Sequence, residues 1–299
     1  MSDIGTLLAE GLVVADAPLG PLTTYKAGGP ARYMATIESI ADLERVIATG
    51  ITQSTEVLVL GRGSNLVVAD SGFDGLVVRL SGEFVNIGVS GSVVTGGGAA
   101  PLPRLARTAV EEGVLGLEFF VGVPGSVGGA VRQNAGCFGV ETTDRLLTAA
   151  LIDVRTGETR NATAGDLDLS YRHSNLKSSD LVLSATFQGE RGDRDQGRDL
   201  MREVTRWRRD HQPGGTLNAG SVFKNPSVMP AGRLIDELGL KGTTIGGVSV
   251  STKHANFFVA GPDATSDDIR RLVEYIKDTV FERSGTMLEP EIQFVGFEE

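Results

Sequence analysis

The chain has 299 residues with 28 basic and 38 acidic side chains, a net charge of −10, which argues against broad binding to nucleic acid or to an anionic membrane. A single cysteine, Cys137, excludes an internal disulfide framework and a multi-cysteine metal site. At 40% hydrophobic content, with no secretion signal and no run of 18 apolar residues, the expectation is a cytoplasmic protein of about two domains with mixed α and β structure.

Taken in chain order, Ser39–Ala48 reads as a helix, with apolar positions 40, 43, 46 and 47 on one face and Ser39 as N-cap. The β-branched runs 56–60, 76–80 and 92–95, bounded by Gly, Ser or Asp, read as strands. Pro103–Glu112 reads as a second helix that stops at Gly113. From Gly116 to Gly139 seven of 24 residues are glycine, which disfavours regular structure throughout the stretch. Strands are expected at 146–154 and 181–188. The polar run 189–198 is the best candidate for a solvated connection. Leu200–Arg209 and Gly232–Leu238 read as helices, and Thr265–Ser284 as the clearest of all, with Ile269, Leu272, Val273, Ile276 and Val280 in one stripe and Ser266 as a cap. Residues 291–295 alternate as a closing strand.

Glycine is the compositional outlier, at 40 of 299 residues or about 13% against a background near 7%. One cluster, Gly61-Arg62-Gly63-Ser64-Asn65-Leu66, follows a strand. It suits either a tight turn or a backbone nest for phosphate, and it matches neither a Walker loop nor the dinucleotide fingerprint. The second runs from Gly122 through Pro124, Gly125, Ser126, Gly128, Gly129 and Asn134 to Ala135 and Gly136. Here a turn is followed by two missing side chains where something approaches the backbone. Two such loops point towards an extended diphosphate-containing cofactor, without identifying which one.

The histidines, His173, His211 and His254, show no zinc-binding spacing, so no metal is expected. Cys137 reads as a packing residue. Arg172 is either solvated or a fixed guanidinium for a carboxylate. Ser221 follows Ala-Gly and has Lys224 and Asn225 nearby, but it sits in no nucleophile elbow. Glu291 follows Pro290 at a strand start.

In order along the chain, the Thr23–Pro30 segment with Tyr25, the Gly61 loop to Phe73, the 123–136 loop, Tyr171-Arg172, Ala219–Pro226, His254–Phe257 and 288–296 together resemble the UDP-N-acetylenolpyruvoylglucosamine reductase family. The spacing from Arg172 to Ser221 resembles the shorter layout, which lacks a long tyrosine-bearing insertion. The resemblance implies an α+β protein with two parts. Residues 1–195 would form an FAD-binding domain of the PCMH/vanillyl-alcohol-oxidase type, with 286–299 packing back near it, and 200–285 a substrate-binding domain. It implies non-covalent FAD, NADPH as hydride donor, UDP-N-acetylglucosamine enolpyruvate as substrate, and a monomer. Catalysis would fall to Arg172, Ser221 and Glu291. FAD would be held by Tyr25, Gly61, Gly63, Ser64, Asn65, Leu66, Gly122, Pro124, Gly125, Ser126, Gly128, Gly129, Asn134, Ala135 and Gly136, and substrate by Tyr171, Lys224, Asn225 and His254.

Overall fold

In the computed structural model, which describes residues 4–298, the β-branched runs form the strands Glu56–Val59, Phe73–Leu80 and Val93–Gly97. The chain divides into two compact units. The first comprises residues up to Asp16, Tyr33–Arg62 and Asp74–Trp207; the second comprises Ala17–Arg32, Gly63–Phe73 and residues from Arg208 onward.

The first unit is built around two sheets. A four-stranded sheet runs in the order Val13–Pro18, Pro30–Ile37, Phe73–Leu80, Glu56–Val59, the last two strands being parallel. The helix Ile40–Ala48 covers it, burying Leu43 and Val46, and starts from the Ser39 cap with Asp42 returning the bond. A five-stranded antiparallel sheet runs in the order Thr159–Ala162, Leu146–Asp153, Asp180–Gln188, Val93–Gly97, Ile87–Ser90. Against it packs the helix Leu102–Glu111 through Leu102, Leu105, Ala106, Ala109 and Val110, all fully buried.

The glycine-rich stretch departs from expectation. Val127–Gln133 is helical, capped by Ser126 through the Gly129 N–H, and it buries Val127, Ala130 and Val131. Tertiary packing of that apolar face outweighs the low helix propensity of Gly128 and Gly129. The polar run expected to be a connection likewise enters a long helix, Arg194–His211. Gly197 permits this, because a Cβ there would lie 2.7 Å from Leu115 and 2.8 Å from Val110.

The second unit centres on the helix Ser266–Ser284, whose Ile269, Leu272, Val273, Ile276 and Val280 pack into one apolar core with Phe223, Ile235 and Phe258. Its cap is Thr265 rather than Ser266, whose N–H is taken, like that of Asp267, by the Asp70 carboxylate at 3.1 Å. A three-stranded sheet, Thr244–Ile245, Val248–Val250 and Phe258–Ala260, lies alongside in this unit. The closing strand, Gln293–Val295, pairs in parallel with Leu66–Val68.

Candidate functional site

Three glycine-bearing segments of the first unit meet at backbone distance. A Cβ on Gly98 would lie 1.9 Å from the Val182 carbonyl oxygen, one on Gly61 2.8 Å from Ser126 Oγ, and one on Gly128 3.1 Å from the Gly98 carbonyl oxygen. These segments line a cavity of about 220 Å³, with Leu80, Val85, Ala99 and Val182 as apolar walls and Arg62, Arg79 and Arg132 as cations. The volume lies below the roughly 300–1,000 Å³ of complete ligand pockets, so it accommodates one moiety of a dinucleotide.

The N–H groups at the start of the 127–133 helix are engaged inside the protein. That of Val127 bonds the Ala100 carbonyl at 3.0 Å, that of Gly128 the Gly98 carbonyl at 2.8 Å, and that of Gly129 Ser126 Oγ at 3.4 Å. The second glycine loop therefore supplies close approach rather than an open set of phosphate donors, and positive charge comes from the arginines. Arg132 is braced by the carbonyls of Leu176, Lys177 and Asp180. Burial opposes ionisation of Asp180, but the Arg160 guanidinium at 2.7–2.8 Å and the Lys177 N–H outweigh it and hold the carboxyl below its usual range. Glycines packed tightly against neighbouring chain, apolar walls and three guanidiniums fit a diphosphate-bearing cofactor.

Arg172, in the same unit, occupies the third position of the turn Ser170–His173, closed by the His173 N–H on the Ser170 carbonyl at 3.0 Å. Its φ of 53° lies in the left-handed region, which glycine or asparagine normally fills in such turns. Its guanidinium lies over the exposed Tyr171 ring, 5.0 Å from the centroid.

In the second unit, Ser221 and Glu291 stand on adjacent strips of chain. The Glu291 N–H bonds the Val222 carbonyl at 2.7 Å, and Asn65 Nδ2 donates to the Glu291 carbonyl at 2.9 Å. Ser221 follows Gly220, whose φ of 78° turns the chain while its N–H bonds Asn218 Oδ1 at 3.0 Å. Asn256, 2% exposed, brackets the next residues, accepting from the Phe223 N–H at 2.9 Å and donating to the Phe223 carbonyl at 2.8 Å. His254 Nδ1 accepts from the Asn256 N–H at 3.2 Å. Burial, assisted by the positive charges of Lys241 and His211, pushes the His254 imidazole below its usual value.

Several expected ligand contacts have internal partners. Tyr25 is 2% exposed in the apolar core of the second unit, and burial pushes its phenol far up. Gly63 packs against Leu22, whose carbonyl oxygen a Cβ would approach to 2.3 Å, and Leu66 is buried in the strand pairing. Ser64 is half-buried and Pro124 exposed. The Gly125 carbonyl accepts the Leu102 N–H at 3.1 Å, and the Ala135 carbonyl accepts the Thr142 N–H at 3.0 Å. Gly122 is buried at the end of a short 3-10 helix. Asn134 bonds Glu141, Ser170 and Thr143. Lys224 forms an ion pair with Glu289 at 2.6 Å, and Asn225 Oδ1 accepts the Ala231 N–H at 3.0 Å. Sequence reasoning overlooked Gly96–Gly98, Arg62, Arg79, Arg132, Glu141 and Asn256. The visible signals were the run of three glycines after a strand and, for Arg62, Arg132 and Asn256, their place inside motifs already singled out.

Family models match residues 31–163 as an FAD binding domain and residues 212–295 as the C-terminal domain of UDP-N-acetylenolpyruvoylglucosamine reductase. The reductase of that name from Parvibaculum lavamentivorans is 41% identical over 96% of this chain and 92% of its own. The chain belongs to the UDP-N-acetylenolpyruvoylglucosamine reductase family. A reductase of the same name from Pediococcus pentosaceus is 37% identical over 99% of this chain and 98% of its own. The crystal structure of the Thermus caldophilus enzyme superposes with a TM-score of 0.82 at 34% identity, covering 95% of this chain and 98% of that one. The α+β architecture with an FAD-binding module agrees with membership of this reductase family. Among the described residues, no helix is long and apolar enough to cross a membrane.

Proposed function

We infer that the protein is an FAD-containing oxidoreductase that reduces the enolpyruvyl ether of UDP-N-acetylglucosamine enolpyruvate to UDP-N-acetylmuramate, with NADPH as donor, in peptidoglycan precursor synthesis. One observation carries the reading: near-40% identity to reductases of this activity along almost the whole chain, spanning both matched domains.

FAD, when bound, supplies the hydride relay from NADPH to the vinyl carbon of the ether. Gly61, Gly98 and Gly128, by letting their segments pack closely, would shape the cavity that takes it, and Arg62, Arg79 and Arg132 would balance its phosphates. The remaining demands fall on this chain's side chains. Hydride addition leaves negative charge on the neighbouring carbon and its carboxylate, so a preorganised cation is needed. Arg172 takes that role by pairing with the carboxylate, and Glu291 in its protonated form donates to the same group. Ser221 donates the proton to the carbon as a positioned general acid. The bonds that brace its strip support this, because a hydroxyl is too weak an acid in water to act without fixed geometry. Tyr171, Lys224, Asn225 and His254 would contact the substrate. His254, held neutral near pH 7, would do so through a hydrogen bond rather than a charge. The protein would work as a cytoplasmic monomer.

The test is purification followed by a flavin spectrum and NADPH consumption with and without UDP-N-acetylglucosamine enolpyruvate. A yellow protein that oxidises NADPH only when that substrate is supplied is expected. A colourless protein, or substrate-independent turnover driven by oxygen, would overturn the reading.

A further inference from the structure

Asn134 closes the 127–133 helix in the left-handed conformation, φ 42°, and is completely buried. Its Nδ2 donates to Glu141 Oε2 at 2.7 Å and to the Ser170 carbonyl at 3.0 Å, while its Oδ1 accepts the Thr143 N–H at 2.8 Å. One amide thus fixes a carboxylate and the first carbonyl of the turn that carries Arg172. The other carboxylate oxygen of Glu141 faces the Arg172 guanidinium at 3.7 Å. Gly136 makes the approach possible, since a Cβ there would lie 2.8 Å from Glu141 Cγ.

The contact between Arg172 and Glu141 has little to do with stability. The side chains of Arg172 and Glu141 are 19% and 31% exposed, and a partly solvated pair at this distance contributes little to folding. Yet Arg172 sits in a strained backbone conformation that a glycine would hold more easily, and such strain persists only where the surroundings over-determine it. What the bonds supply is direction: the guanidinium is held between the Glu141 carboxylate and the Tyr171 ring.

We propose that Glu141, itself fixed by Asn134, is a positioning residue that aims the Arg172 guanidinium at the substrate carboxylate. This rests on the reading of Arg172 as the carboxylate partner. Glu141 makes no bond to substrate in the reaction; it acts through the arginine, and the ion pair loosens as the substrate carboxylate becomes the guanidinium's stronger partner.

The experiment follows the two half-reactions separately by rapid mixing. Glu141→Gln is expected to retain flavin and to be reduced by NADPH at the wild-type rate. Reoxidation by the enolpyruvyl substrate should slow about ten- to hundredfold, as expected for a displaced reacting partner. Glu141→Asp, which keeps the charge, should recover part of the loss. Asn134→Gly, which tolerates the left-handed backbone but lacks the amide, should show a milder form of the same defect. In an Arg172→Ala background, Glu141→Gln should have no further effect. If Arg172→Ala is slow and Glu141→Gln still subtracts its full factor there, the proposal falls alone. If Arg172→Ala reoxidises like wild type, the carboxylate reading of Arg172 falls and takes the proposal with it. Loss of flavin from Glu141→Gln would mark a structural role and also overturn it.

Discussion

Replacing Gly98 by alanine tests the glycine cradle directly. The new Cβ would sit 1.9 Å from the Val182 carbonyl oxygen and 3.2 Å from Leu80 Cδ1. A carbon needs more than about 3 Å from a carbonyl oxygen, so the two backbones must part by about 1 Å or more. Two short hydrogen bonds prevent an easy adjustment: Gly98 N–H to the Leu183 carbonyl at 2.7 Å, and Gly128 N–H to the Gly98 carbonyl at 2.8 Å. Losing both costs about 2 kcal/mol, and overpacking adds about 1–3 kcal/mol. The expected destabilisation is therefore about 3–5 kcal/mol, a fall in Tm of about 6–20 °C. The cavity wall moves with Val182, so flavin content should fall too. Urea denaturation followed by circular dichroism, with the flavin-to-protein absorbance ratio, measures both effects. Gly88→Ala is the control, because no atom lies within 4 Å of its added carbon; it should stay within about 0.5 kcal/mol of wild type. A Gly98→Ala protein with wild-type midpoint and full flavin would refute the close-approach account.

Ser221→Ala should keep flavin and its reduction by NADPH, while reoxidation by the enolpyruvyl substrate drops on the order of a hundred- to thousandfold; wild-type reoxidation in stopped flow would remove Ser221 as proton donor. Asn256→Ala strands the buried N–H and carbonyl of Phe223 and should cost about 2–4 kcal/mol in urea denaturation. A midpoint equal to wild type would show the bracket to be dispensable. The depressed value of His254 means that the unfolded chain binds its proton first as pH falls. Stability should accordingly decline below the ordinary histidine value of about 6.5, down to the lower folded value. His254→Gln should flatten that slope between pH 7 and 5, and an unchanged slope would count against the assignment.

The helix 266–284 was legible because its apolar stripe is regular and its packing one-sided. Its cap was misread by one residue, since the partner that takes the Ser266 N–H, Asp70, lies far away in sequence. The helix 127–133 was hidden because glycine lowers local propensity, whereas Val127, Ala130 and Val131 gain their stability from distant strands. The run 189–198 reads as linker because the exposed face of the helix it enters at Arg194 is charged and Gly197, with no side chain of its own, serves as a contact surface. Within the candidate site, motif resemblance singled out Arg172, Ser221 and Glu291. It could not indicate that an asparagine amide ties Glu141 to the arginine's turn, or that the glycine-loop N–H groups are taken by the Gly98 and Ala100 carbonyls and by Ser126. Those are pairings across the fold, and local composition carries no trace of them.

The bond from Asn65 to the Glu291 carbonyl joins residues 226 positions apart. Closing a loop of that length costs about 5 kcal/mol in chain entropy, and the strand pair beside it cannot form until residue 295 has left the ribosome. Residues 17–32 and 63–73, made early, must therefore wait for the last part of the chain before their core exists. A protein assembled in this order is a poor subject for bisection: a fragment beginning at Arg208 would lack the strand Leu66–Val68, the Asp70 carboxylate that holds the start of the 266–284 helix, and the Tyr25 ring that fills its core.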